Sequence, residues 1–148
     1  KIYACFVDFK KAFDSIWHDG LFLKLLENKV GGRFYDLIKD LYTNTRCAVK
    51  LSDHRTSFFP YRKGVRQGCV LSPLLFNLYI NELPALFEKT TSDPFILSNS
   101  TAISSLLYAD DLVILSQSKS GLQNCLDTLH TWSEKWLLEV NLKKPKLW

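Results

Sequence analysis

Methionine is absent from the sequence, so the chain lacks even an initiating residue; with an opening that runs straight into the strand-like KIYACFVDF, it reads as an excerpt of a longer polypeptide. Cysteine is sparse and scattered. Cys5, Cys47, Cys69 and Cys125 form no C-x-x-C pair and have no histidine at zinc spacing, which argues against a zinc module. Each sits among apolar neighbours, the pattern of buried free thiols in a reducing compartment. No apolar run reaches the ~18 residues that suggest a membrane span, and no secretory leader is present, so the expected setting is intracellular, in nucleus or cytoplasm, with no membrane partner. Excess charge is also slight: 19 Lys and Arg against 15 Asp and Glu leave a net +4. That surplus permits a nucleic-acid partner without demonstrating one, and solubility alone accounts for it equally well. What remains is a globular composition, 47% hydrophobic and 23% charged over 148 residues, enough for one domain with its own core.

Hydrophobic periodicity divides the chain into short elements. IYACFVDF (2–9) is an apolar, β-rich run with Asp8 emerging at its C-terminal end, the mark of a buried strand. Residues 20–30 follow a helical pattern, with Leu21, Leu25 and Leu26 on one face and Gly31-Gly32 as a stop. Residues 33–43 form another, with Phe34, Leu37, Ile38 and Leu41 on one stripe. RCAVKLS (46–52) and TSFFPYR (56–62) read as two short strands around the turn-like DHR. After the glycine-punctuated loop GVRQGCVLSP, Ser72 as N-cap and Pro73 at the first helical position open a helix. It carries Leu74, Leu75, Leu78 and Leu86 inward and runs to about Lys89. Residues 90–101 are polar and read as a surface loop. Strands follow at 103–109 and 112–116, then a helix over about 119–136 with Leu122, Leu126, Leu129 and Trp136 on one face, and a last short strand, LEV (138–140). With 18–71 set aside as a helical and hairpin insertion, the order is strand, helix, strand, strand, helix, strand. This is an α+β layout, the split β-α-β-β-α-β (ferredoxin-like) antiparallel sheet with two helices on one face.

One stretch resists that plain reading. LLYADDLVIL (106–115) sets Asp110 and Asp111 inside an apolar run, where an unpaired buried carboxylate costs several kcal/mol or takes up a proton. If the two aspartates form the tip of a two-residue hairpin, both side chains face one opening. The layout places Asp8, the strand-end acid, beside them. Three like charges within a few ångströms require a cation, and hard oxygen donors suit Mg²⁺, which fills its remaining positions with water and substrate phosphates. Such a site supports in-line displacement at phosphorus with two metal ions. An isolated Asp-Asp pair is otherwise a solvated turn.

In this order, FVDFKKAFDSI (6–16), GVRQGCVLSPLLFNLYINEL (64–83) and YADDLVIL (108–115) resemble the palm motifs of reverse transcriptases, nearest to the non-LTR (LINE-type) retrotransposon enzymes. The resemblance runs over nearly the whole chain, and the three blocks together are far more specific than YADD alone. It implies a polymerase palm that copies an RNA template onto a DNA primer from dNTPs, with two Mg²⁺ ions (Mn²⁺ as an alternative). Asp8, Asp110 and Asp111 match the metal-binding catalytic triad, and the backbone carbonyl of Phe9 would complete one metal's shell. Phe13 matches the steric gate whose ring collides with a ribonucleotide 2′-hydroxyl; the alternative is a core aromatic. Asp14 fits a structural role. Gln67 and Gly68 match residues lining the nucleotide and template pocket, and Arg66 either contacts phosphate or is simply solvated. Lys144, in VNLKKPK (140–146), matches the lysine proposed to protonate leaving pyrophosphate, although Pro145 stands where the family usually has Thr. Trp132 and Trp136 fit the core better than a stacking platform.

The resemblance also implies fingers and a thumb that these residues do not contain, so the isolated chain should bind primer–template weakly and polymerise poorly or not at all. An intron maturase-type reverse transcriptase and an inactive, truncated or domesticated element copy are the alternatives. An RNA-dependent RNA polymerase fits less well, since Ala109 and Phe13 stand where those enzymes usually have glycine and a polar residue.

Overall fold

The computed structural model describes residues 1–91, 93–98, 101–141 and 146–147. Its centre is a four-stranded antiparallel sheet built from β1 (Tyr3–Asp8), β8 (Ser105–Tyr108), β9 (Asp111–Ser116) and β10 (Lys146–Leu147). The strand order is β10-β1-β9-β8, the fourth-first-third-second arrangement of a split β-α-β-β-α-β sheet. The α+β expectation therefore holds. Side-chain alternation sorts the two faces. Cys5 and Val7 of β1, with Leu112, Ile114 and Ser116 of β9, are buried beneath helices. Ala4, Phe6 and Asp8 pair with Leu115, Val113 and Asp111 on the other, open face.

The helical face is closed by α4 (Ser72–Ile80), α5 (Leu83–Thr90) and α6 (Lys119–Trp136). Leu75, Phe76, Tyr79, Ile80, Leu83 and Phe87 meet Leu122, Cys125, Leu129, Trp132 and Trp136 in one core. Trp132 and Trp136 are thus core residues, as their spacing implies. Ser118 starts α6 as a true N-cap: its hydroxyl accepts from the Gly121 N–H at 3.0 Å.

A buried lysine ties the layers together. Lys24, in α2 (His18–Glu27), is only 2% exposed, with its ammonium 2.6 Å from Glu82, 3.2 Å from Glu27 and 3.8 Å from the Trp136 ring centre. Trp132 Nε1 donates to the other Glu82 oxygen at 2.6 Å. Burial alone would raise the Glu82 pKa, but the Lys24 and Trp132 donors outweigh it and hold the carboxyl below its ordinary value.

Between α1 (Ala12–Ser15) and α4 lie α2, α3 (Gly32–Thr43) and a projecting hairpin. The hairpin is made of β2 (Arg46–Cys47) on β5 (Phe59–Pro60), and β3 (Lys50–Leu51) on β4 (His54–Arg55). The strand read at 46–52 is present as two short pieces, β2 and β3, whereas the one read at 56–62 keeps only β5; β4 falls on His54-Arg55 of DHR, read as the turn, so the chain reverses at Ser52-Asp53 instead. All four cysteines are free thiols; Cys5 and Cys125 are buried, while Cys47 and Cys69 are half-buried.

Several local expectations need correction. The helix expected from Ser72 to Lys89 is two helices, because Pro84 has no N–H for the Ile80 carbonyl and its ring would collide with that oxygen. The Ser72 hydroxyl does not cap α4 but donates to the Arg66 carbonyl at 2.6 Å; Leu71 occupies the N-cap position. Leu74 and Leu26 face solvent, and α3 buries Ile38 and Tyr42 while exposing Phe34 and Leu37, because α3 packs against α2 through Tyr42 and His18 (ring centres 5.2 Å apart). Residues 90–101 are not simply a loop: β6 (Phe95–Ser98) pairs with β7 (Thr101–Ile103), the β-prone Phe95-Ile96-Leu97 prevailing over its polar flanks. Of LEV (138–140), only Val140 bridges to Phe9, and the fourth strand lies further on, at Lys146–Leu147. Among the described residues no helix is long and apolar enough to cross a membrane.

Candidate active site at the ends of β1 and β9

The hairpin that carries the paired aspartates turns at Ala109-Asp110, one residue earlier than a tip made of both aspartates. Tyr108 pairs with Asp111, so Asp111 is already the first residue of β9 and only Asp110 lies in the turn. Ala109 takes φ +51°, the left-handed conformation that a tight two-residue connection demands and that a non-glycine residue adopts at a cost. The register then sets Asp8 directly across from Asp111. Opposed residues of an antiparallel pair have Cβ atoms about 4.5–5.5 Å apart, and like charges in that position destabilise the sheet. Asp111 is exposed, and Asp8 and Asp110 are half-buried.

Asp8 and Asp111 thus meet on the open face with Asp110 in the adjoining turn. Among the described residues, however, no three His, Cys, Asp or Glu side chains are gathered closely enough to hold a metal ion.

Sequence reasoning assigned no role to Asn141, which reaches this site from beyond α6. Its Nδ2 donates to Asp8 Oδ2 at 2.9 Å, and its backbone N–H donates to the Asp8 carbonyl at 2.8 Å. The Lys10 N–H donates in turn to the Glu139 carbonyl, so the chain on either side of Phe9 is pinned by residues 139–141. The Phe9 ring is buried near Trp132, with centroids 6.3 Å apart. The asparagine at the second position of VNLKKPK was the one available signal that this segment approaches the site. Lys144 and its neighbour Pro145 lie outside the described residues.

The second sequence block closes against the first. The Gly64 N–H donates to the Ile16 carbonyl (2.8 Å) and the Val65 N–H to the Phe13 carbonyl (2.7 Å). His18 Nε2 donates to the Gly64 carbonyl at 2.8 Å, which requires the proton on Nε2. Gln67 Nε2 donates to Asp14 Oδ1 at 2.9 Å, giving Asp14 a structural task, that of orienting the Gln67 amide. Phe13 stacks on the buried Phe76 ring at 4.7 Å and 23°, which holds it in one position while leaving it partly exposed. Gly68, at φ +80°, has open space around it. Arg66 is exposed, and its Nη2 donates to the Leu41 carbonyl at 3.1 Å and the Thr45 hydroxyl at 2.7 Å, closing the C-terminal end of α3.

Residues 1–148 match the family described as reverse transcriptase (RNA-dependent DNA polymerase). The chain belongs to the reverse transcriptase family. It is 33% identical over 147 residues to a probable RNA-directed DNA polymerase from transposon BS of Drosophila melanogaster, a match covering 95% of this chain and 16% of that protein. It is 30% identical over 143 residues to the retrovirus-related Pol polyprotein of a type-1 R2 element of Nasonia vitripennis, covering 97% of the chain and 14% of the relative. These relatives are non-LTR retrotransposon polymerases, and the chain spans about one-sixth or less of their length. The reverse transcriptase fold is equally evident in three dimensions. An apo telomerase from Candida tropicalis, truncated of its C-terminal domain, superposes with a TM-score of 0.78 at 18% identity, over 99% of this chain and 30% of that one. The four-stranded sheet and its helices are accordingly a polymerase palm.

Proposed function

We propose that the chain is the palm portion of an RNA-directed DNA polymerase, joining dNTPs to the 3′ end of a DNA primer on an RNA template. The observation that carries this reading is the in-register pairing of Asp8 with Asp111 on the open face of a reverse transcriptase sheet. Residues 18–71 form an insertion within the single domain, and fingers and thumb are supplied by a longer parent polypeptide.

The donor chemistry fits Mg²⁺. This ion takes one or two carboxylates and completes its shell with water and substrate phosphates, so a facing pair already provides a sufficient protein contribution. Asp8, Asp110 and Asp111 would hold two Mg²⁺ or Mn²⁺ ions, with the Phe9 carbonyl as a further oxygen donor. The chemistry such ions would supply is stabilisation of the charge that develops as the primer 3′ oxygen attacks the α-phosphorus and pyrophosphate departs. The remaining work belongs to the chain. Asn141 restricts rotation of the Asp8 carboxylate through its bond to Oδ2. Phe13, braced by Phe76, excludes a 2′-hydroxyl. Gln67, oriented by Asp14, and Gly68 line the pocket for nucleotide and template. Arg66 contributes by fixing the position of that loop, and Lys144 is the candidate proton donor to pyrophosphate.

Two measurements test the reading. Mg²⁺ should raise the melting temperature of the 148-residue chain and leave that of Asp111→Asn unchanged. In a polypeptide of the relatives' length, Asp111→Asn should abolish extension of a DNA primer on an RNA template. Extension that survives this substitution refutes the metal-site assignment.

A further inference from the structure

The net charge of the chain is concentrated in one place. Residues 46–63 contain five cations, Arg46, Lys50, Arg55, Arg62 and Lys63, against the single acid Asp53, a balance of +4. The whole chain has 19 against 15, also +4, so everything outside this segment balances at 14 against 14. The segment is the β2–β5 hairpin and its exit, and residues 49–60 are exposed without interruption.

Within the arm, charge is placed against its own stability. Lys50 and Arg55 are direct cross-strand partners, a position in which like charges repel. Among the described residues no carboxylate forms an ion pair with Arg46, Lys50 or Arg55. The Arg55 guanidinium lies 4.7 Å over the Phe58 ring, and Phe58 and Phe59 are 56% and 44% exposed. A single-stranded nucleic acid offers what this surface lacks: phosphates to separate the two cations and bases to cover the rings. The arm is also joined to the candidate site. The Tyr61 N–H donates to the Thr45 carbonyl at its root, and Arg66, just before Gln67, is bonded to the same Thr45.

We propose that the β2–β5 arm docks single-stranded RNA, the template strand on its way to the site, with phosphates held by Lys50 and Arg55 and a base stacked on Phe58. That the strand is the template rests on the polymerase reading; that the arm binds RNA does not.

Fluorescence anisotropy of a 5′-fluorescein-labelled 20-nucleotide oligouridine, titrated with the 148-residue chain in EDTA over a range of KCl, separates the two. Each phosphate contact on a single strand contributes about 0.7 to the slope of log K against log salt. Lys50→Ala/Arg55→Ala should therefore flatten the slope by about 1.4 and weaken binding by roughly 10-fold at 0.1 M KCl. Phe58→Ala should weaken binding by about 5-fold or more with the slope intact. Arg33→Ala/Lys39→Ala, which removes the same charge from α3, should change neither. All substituted positions on the arm are exposed, and circular dichroism melting verifies that each variant is folded. Wild-type affinity and slope in the arm variants overturn the proposal. So does equal, arm-dependent binding of a polyglutamate peptide or of phosphatidylserine vesicles, which would make the arm a general anion surface. Because the titration contains no metal and no dNTP, a failure of primer extension leaves its outcome untouched.

Discussion

Gly64→Ala probes how closely the second sequence block is seated on the first. Gly64 has φ +88°, and a Cβ built there would stand 2.5 Å from the Tyr61 hydroxyl and 2.8 Å from both the α-carbon and the carbonyl oxygen of Asp14. The tyrosine can swing aside. The Asp14 backbone cannot, because its N–H is bonded to the Lys11 carbonyl and the loop is fastened to its neighbours Phe13 and Ile16. Two costs therefore add: about 1–2 kcal/mol for holding alanine in a left-handed conformation, and about 1–3 kcal/mol for overpacking. Gly68→Ala isolates the first, since Gly68 has φ +80° and nothing near its absent Cβ. In urea unfolding at one temperature, Gly68→Ala should lose about 1–2 kcal/mol and Gly64→Ala about 2–5 kcal/mol, with unchanged m-values. In melting temperature, each kcal/mol corresponds to roughly 3 °C for a chain of this size. If the two variants lose the same stability, the loop does not lie against Asp14, and the orientation of Gln67 by Asp14 loses its basis.

Other consequences are as direct. In EDTA, Asp111→Asn should stabilise the chain by about 0.2–1 kcal/mol in urea unfolding by removing a like-charge cross-strand pair, and a loss of stability would contradict that pairing. The lowered Glu82 pKa has a definite sign: the carboxylate stabilises the fold above its ordinary value of 4.5, and this contribution disappears as pH falls through the lower folded value. Glu82→Gln should thus cost about 1–3 kcal/mol at pH 7, by leaving a buried ammonium short of a partner, and the gap from wild type should narrow in acid; a gap constant from pH 7 to pH 3 refutes the linkage. In a polymerase of the relatives' length, Phe13→Val should raise ribonucleotide incorporation, measured by primer extension with rNTPs, and unchanged discrimination would return Phe13 to the core.

The elements that position the candidate site were the legible ones. The apolar, β-prone runs ACFVDF and DLVIL were legible as strands, and the split β-α-β-β-α-β order set Asp8 beside the paired aspartates; which of their side chains lie under helices was not, because neither run alternates polar with apolar residues. Local competition was harder to read. Pro84 divides a helix whose apolar spacing continues past it, and Ser72, an apt N-cap by residue type, spends its hydroxyl on the Arg66 carbonyl. Contacts between distant segments left the faintest trace. Nothing in the spacing of Asn141 relative to Asp8, 133 residues earlier, foretells their bond, nor does Arg66 announce that the end of α3 lies within reach. Such contacts arise from tertiary packing, which periodicity does not encode.

The two facing aspartates also act during folding, before any substrate is present. Side chains alternate every residue along a strand, so a slip of β9 by one position against β1 would exchange its faces. Leu112 and Ile114 would move to the open side, and Asp111 would be driven beneath α6, where an unpaired carboxylate costs several kcal/mol. The slipped sheet is thereby penalised at the residue that the polymerase reading assigns to the metal. The acid that makes the correct pairing slightly uncomfortable makes the neighbouring wrong one far worse, and the chain proofreads its own register with its candidate chemistry.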